Sequence, residues 1–144
     1  AYSADDIERM RQQLMVGDNR QDVFEEFVSP THSFIMLHRT PRPPGQPLSF
    51  ELHEGVTDVY YIVGGEGTVI VDGVLEVDES RSSRPGETLG TMTGGRRIPV
   101  TKGSILNIPP GTSHGTVPGP NGMSYILQKV NVGMYPWSLI NGAP

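Results

Sequence analysis

Cysteine is absent from this chain of 144 residues. There can be no disulfide framework, no thiolate metal ligand and no cysteine nucleophile, so any metal must be held by nitrogen and oxygen. That absence is compatible with either cytoplasm or periplasm. Positive charge is also scarce. Eleven Lys and Arg face sixteen Asp and Glu, for a formal net charge of −5. A nucleic-acid partner needs a basic face, and this balance excludes one. No apolar run approaches the ~20 residues of a membrane-spanning helix, so no membrane partner is expected either. The chain opens Ala-Tyr-Ser without Met, which fits a trimmed chain or a removed signal peptide.

Turn formers are plentiful instead. With Gly 18 and Pro 13, the composition favours many short strands joined by tight turns over long helices. The exception is the N-terminal SADDIERMRQQLMVGDN. Ser3 followed by Asp6 resembles a capping box, and Ile7, Met10 and Leu14 share one helical face, so a helix packing on a sheet is predicted within residues 1–20. Strand texture follows in DVFEEFV (22–28) and SFIMLHR (33–39), then in LSFELHE and DVYYIVGG after a proline loop. Asp72-Gly73 between alternating Val and Ile predicts a hairpin. Residues 78–96 form a polar, Gly-rich insertion, read as a mobile loop or a decorated hairpin and a candidate lid. Strands resume over 98–117 and 123–132. One small antiparallel β-barrel or sandwich with an N-terminal helix accounts for this order.

The chemistry concentrates in two stretches. In ELHEGVTD, strand alternation puts Glu51 and His53 on one face, and Asp58 opens the next strand, where it can return beside them. In IPPGTSH, two prolines and a glycine force a rigid turn that delivers His114 from far along the chain. Two histidines and carboxylates converging at a barrel mouth suit a borderline divalent ion such as Mn, Fe, Ni or Zn. The alternative is a solvated polar rim. Tyr60 shares the Asp58 face, so its phenol is a candidate to orient or protonate a substrate.

These stretches resemble the two motifs of the cupins. The first, G-x5-H-x-H-x3-4-E-x6-G, is matched in spacing by Gly45, Glu51, His53, Asp58 and Gly65. The second, G-x5-P-x-G-x2-H-x3-N, is matched by Gly103, Pro109, Gly111 and His114, with Pro118 in place of the closing Asn. The resemblance implies an all-β, cupin-type jelly-roll barrel over residues 21–144, forming a homodimer. By position it implies a metal site of Glu51, His53, Asp58 and His114, with a glutamate where the family carries its first histidine and an aspartate where it carries a glutamate.

Three roles for Glu51 remain open: a fourth ligand, a general acid or base beside a three-ligand metal, or direct chemistry in a metal-free site. The resemblance also implies an enzyme acting on a small polar organic substrate. Loss of one histidine favours metal-assisted proton transfer, as in an isomerase, lyase or dehydratase. A metal-dependent dioxygenase and a non-catalytic ligand-binding cupin are the alternatives.

Other residues are read as follows. His38, beside Phe34 and Met36, is structural, and His32 lies in a surface turn. Tyr61 packs on the face opposite Tyr60. Gln128 and Lys129 point to opposite faces, and an inward Lys129 would favour an anionic substrate. Arg96 and Arg97 are a solvated patch or an anion contact at the mouth, and the aromatic MYPWSLI (134–140) caps the barrel or a second subunit.

Overall fold

Glycine, proline and alternating apolar residues divide the chain into strands, two of them long (56–71 and 114–131), that curl into a barrel. The computed structural model describes residues 1–16, 21–22, 32–81 and 85–132. Among them, one helix, α1 (Ala4–Met15), is followed by β1 (Gln21–Asp22), β2 (His32–Arg39), β3 (Phe50–His53), β4 (Val56–Val71), β5 (Val74–Val77), β6 (Glu87–Thr93), β7 (Arg96–Thr101), β8 (Ile105–Ile108) and β9 (His114–Asn131). Every strand pairing is antiparallel. The helix is too short to cross a membrane.

α1 begins where its capping signal predicts. The Ser3 hydroxyl accepts from the Asp6 N–H, and the Asp6 carboxylate accepts from the Ser3 N–H. Reciprocal capping satisfies two N–H groups that the first turn leaves without partners. The helix packs on the outer face of β2. Gly17, just after it, lies outside the described residues, as do most of DVFEEFV and all of MYPWSLI.

β9 is the spine. It pairs with β2, with β3 and with almost the whole of β4. β4 in turn pairs with β7 and β8. Side chains alternate along these strands, so one set meets inside: Ile35 and Leu37 from β2, Tyr60, Ile62, Val69 and Val71 from β4, and Met123, Tyr125 and Leu127 from β9. Continuous alternation on paired strands buries a single apolar interior, and the functional side chains extend those same inward rows.

The Asp72-Gly73 turn forms, with Asp72 at φ 61°, but it does not close a hairpin between the flanking strands. β4 pairs with β7 there, while β5 leaves to pair with β6. The 78–96 insertion therefore contains a strand, β6, and belongs to a β5–β6 hairpin that also edges β3.

Gly65, last residue of the first motif, has a structural reason to be glycine. Its φ is +71°, and a Cβ there would lie 2.1 Å from the carbonyl oxygen of Gly122. The close approach falls where the β4–β9 register shifts. Gly65→Ala must pay for a left-handed backbone and move a strand, so it is expected to lose about 2–4 kcal/mol of stability with an unchanged m-value in urea. A loss below ~1 kcal/mol would show that the two strands separate freely.

Candidate active site

The register of three strands assembles the site. Glu51 on β3 is the cross-strand partner of His114 at the start of β9, and Asp58 on β4 is the partner of Lys129 near its end. β9 curves through the barrel wall so that both of its ends reach Asp58. His53 lies two residues from Glu51 on β3, projecting to the same side. The IPPGTSH turn is tied to that strand by the Gly111 N–H, which donates to the His53 carbonyl at 2.7 Å. Thr112 then fixes the ring of His114, whose Nδ1 donates to its carbonyl at 2.9 Å.

All four residues expected from the motifs converge. Glu51, His53, Asp58 and His114 each offer one ligand atom, and these atoms lie within 4.8 Å of one another. His114 Nε2 is 3.3 Å from Asp58 Oδ2 and 3.4 Å from Glu51 Oε1. His53 Nε2 is 3.5 Å from Asp58 Oδ2 and 3.6 Å from Glu51 Oε2. His53, Asp58 and His114 are sealed from solvent, whereas the Glu51 side chain is 30% exposed. Only Glu51 of the four opens outward.

Lys129 occupies the middle of this group. Its Nζ donates to Asp58 at 2.8 and 2.9 Å and lies 2.7 Å from His53 Nε2. An ammonium only donates, so His53 Nε2 accepts and the ring proton sits on Nδ1, facing Glu87 at 3.7 Å. His114 has acceptors at both nitrogens, and hydrogen bonds to Asp58 and Glu51 outweigh burial and raise its pKa to about 10. Burial likewise opposes the charge on both carboxylates, yet Lys129 and His114 hold Asp58 and Glu51 below the usual carboxylate range. Burial opposes the Lys129 charge too, and Asp58 and Glu51 raise its pKa nevertheless. Asp58 and Glu51 are thus matched by Lys129 and His114, while Glu87 adds a further carboxylate at the edge of the cluster, 3.7 Å from His53 Nδ1.

The donor set, two imidazoles and two carboxylates, could bind a metal ion. Lys129 stands among those donor atoms and would compete with the ion for them. An ammonium already sits on Asp58 and against His53, and a divalent ion at those atoms would face it at close range. Loading requires Lys129 to withdraw or lose its proton, so ion and lysine compete for the same ligands.

Of the cluster, Glu51 lines a cavity of about 330 Å³. Glu51, Tyr60 and Tyr125 line its deep end, and Arg39, Arg42 and Arg81 also line it. Tyr60 is 2% exposed and stacks on Tyr125, with ring centroids 5.0 Å apart. Burial and the neighbouring Asp58 push the Tyr60 phenol well above its ordinary pKa, so it is a hydroxyl donor.

The remaining sequence readings divide. His38 is buried on the outer face of β2, with Nδ1 2.8 Å from the Ser124 hydroxyl, a structural role. His32 is not a surface turn residue. It opens β2 and is half-buried. Tyr61 is half-buried and bonds Gln128. Arg96 is exposed on β7, 3.7 Å from Asp72, and neither it nor Arg97 lines the cavity.

Lys129 is the inward member of its pair, which strand spacing alone left undecided. Arg39, Arg42, Arg81 and Tyr125 also line the cavity but belong to neither motif. Arg39 had a readable signal, since it continues the inward row of Ile35 and Leu37.

No protein-family model matches the sequence, and no curated protein matches it. Solved structures do. An uncharacterised conserved protein with a double-stranded β-helix domain from Klebsiella pneumoniae is similar at TM-score 0.56 and 16% identity, over 94% of this chain and 92% of that one. A predicted oxalate decarboxylase from Thermotoga maritima is similar at TM-score 0.51 and 15% identity, covering 79% of this chain and 92% of its own. A Streptomyces Pac13 variant with uridine gives TM-score 0.51 and 14% identity, covering 79% and 77%. At such identities the likeness speaks to architecture. The curled antiparallel strands, the N-terminal helix and these neighbours together show that the chain has the cupin fold, a double-stranded β-helix barrel.

Proposed function

We propose that the barrel is a small-molecule enzyme that works by proton transfer, an isomerase or a lyase of the dehydratase kind. The supporting observation is the partition of the buried cluster. His53, Asp58, His114 and Lys129 are sealed, and Glu51 alone carries the cluster's charge network into the cavity.

Glu51 rests as a carboxylate and accepts a proton from a substrate carbon beside a carbonyl. Lys129 and His114 stabilise that carboxylate, which weakens it as a base and favours return of the proton. Returned to a neighbouring carbon, the proton completes an isomerisation. Returned to a leaving hydroxyl, it releases water as the C–O bond breaks and a C=C bond forms. The Tyr60 hydroxyl donates to the oxygen on which charge develops. Lys129 supplies fixed positive charge beside the reacting carboxylate, the task a divalent ion performs as a Lewis acid where one is bound.

Proton NMR in D₂O with a panel of small hydroxy and keto compounds tests this reading. Deuterium entering the carbon beside a carbonyl, or loss of a hydroxyl, is expected and should persist with chelator present. Turnover that needs iron and consumes oxygen would replace this reading with a dioxygenase. Binding without exchange or turnover would leave a ligand-binding cupin.

A further inference from the structure

The geometry points to a substrate that is an acid, held by its oxyanion group (a carboxylate or a phosphate) between Arg39, Arg42 and Arg81. Three guanidinium groups line one cavity of about 330 Å³ in a protein whose net charge is −5. Among the described residues, none of the three is within ion-pair distance of a carboxylate.

Among the described residues, their hydrogen-bond partners are neutral groups. Arg39 Nε reaches the Tyr125 hydroxyl at 3.5 Å, Arg42 Nη1 donates to the Pro47 carbonyl at 2.7 Å, and Arg81 Nη1 donates to the Ser49 hydroxyl at 2.8 Å. Among the described residues, each of these contacts orients a guanidinium without neutralising its charge. Glu51 acts on Arg39 at longer range, but that single carboxylate also faces Lys129 and His114 and cannot offset three guanidinium groups. The cavity wall is therefore net positive, and an anion is its complement.

Arginine presents a planar fork suited to two oxygens of one carboxylate or phosphate. Glu51 and Tyr60 line the same cavity, so an acid bound to the arginines brings nearby carbons toward Glu51. The substrate class is accordingly a small organic acid with a reacting carbon near its acidic group. This deepens the enzyme reading, although the binding step stands on the arginines alone.

The test is calorimetric titration of the full chain at low salt with malonate and citrate in one arm and inorganic phosphate in the other. Saturable binding in at least one arm is expected, and the tighter arm names the group. Arg39→Gln and the exposed Arg42→Gln are each expected to weaken that binding about tenfold or more, as loss of a charge-assisted hydrogen bond does. Arg97→Gln, away from the cavity, should leave it unchanged. Glu51→Gln should bind the anion as well as the unmodified protein or better, so binding is read apart from catalysis. No saturable binding in either arm, or equal binding by the Arg39 and Arg42 variants, would overturn the inference. Intact binding without turnover would overturn only the enzyme reading.

Discussion

Replacing Lys129 with methionine is expected to destabilise the protein by about 3–5 kcal/mol and to turn its central cluster into a site for a divalent metal. Methionine keeps the length of the side chain and removes its charge. Asp58, 0% exposed, then keeps only His114 as a nearby cation, because Lys129 supplied both of its shortest hydrogen bonds. A buried carboxylate left in this way costs more than its ion pair contributed, which places the loss in the upper range for single substitutions.

The same change vacates the space among the two imidazoles and two carboxylates. Zinc or manganese should therefore raise the melting temperature of Lys129→Met steeply, by the equivalent of about 2.7 kcal/mol at a hundred times the dissociation constant. The unmodified protein should respond far less, since ion and ammonium compete for Asp58 and His53. Thermal melts of both proteins with and without metal, together with elemental analysis, decide the matter. Stoichiometric metal in the unmodified protein as purified would mean that Lys129 leaves the cluster, and the competition between ion and ammonium would not hold.

The competition also explains which parts of the site could be read from the sequence. Glu51 and His53 were legible because strand alternation is local, and His114 because Pro-Pro-Gly dictates a rigid turn. Their convergence needed only the two motif spacings. Lys129 needed the register of β4 against β9, which shifts near Gly64 and again near Gly67. No local pattern contains that shift, so nothing in the sequence placed Lys129 rather than Gln128 inside. The same limit governs Asp72-Gly73. Turn chemistry is local and the turn formed, but the partner of β4 is β7, more than twenty residues on, and only long-range packing selects it. The arginines show a third kind of gap. Arg39 continues a legible inward row, whereas Arg42 and Arg81 come from loop and insertion and reach the cavity through tertiary placement.

Glu51→Gln should abolish proton transfer while leaving the fold and the bound acid in place. The amide matches the carboxylate in shape and can still meet His53 and His114, but it cannot accept a proton from carbon. A loss of about 10²–10⁴ in kcat is expected, with KM little changed, because the arginines rather than Glu51 hold the substrate. Stability should change less than in Lys129→Met, since the Glu51 side chain is 30% exposed and the cluster keeps the Lys129–Asp58 pair. Deuterium exchange into the substrate should vanish with turnover. Tyr60→Phe, by contrast, removes only a donor, so exchange should persist at a reduced rate. If Glu51→Gln retained turnover and Tyr60→Phe lost it, the proton would have to move through the phenol. That route is disfavoured by the neighbours that push the Tyr60 pKa upward. On the proposed reading, Glu51 is the base of this barrel, with Lys129 and His114 setting how firmly it holds its proton.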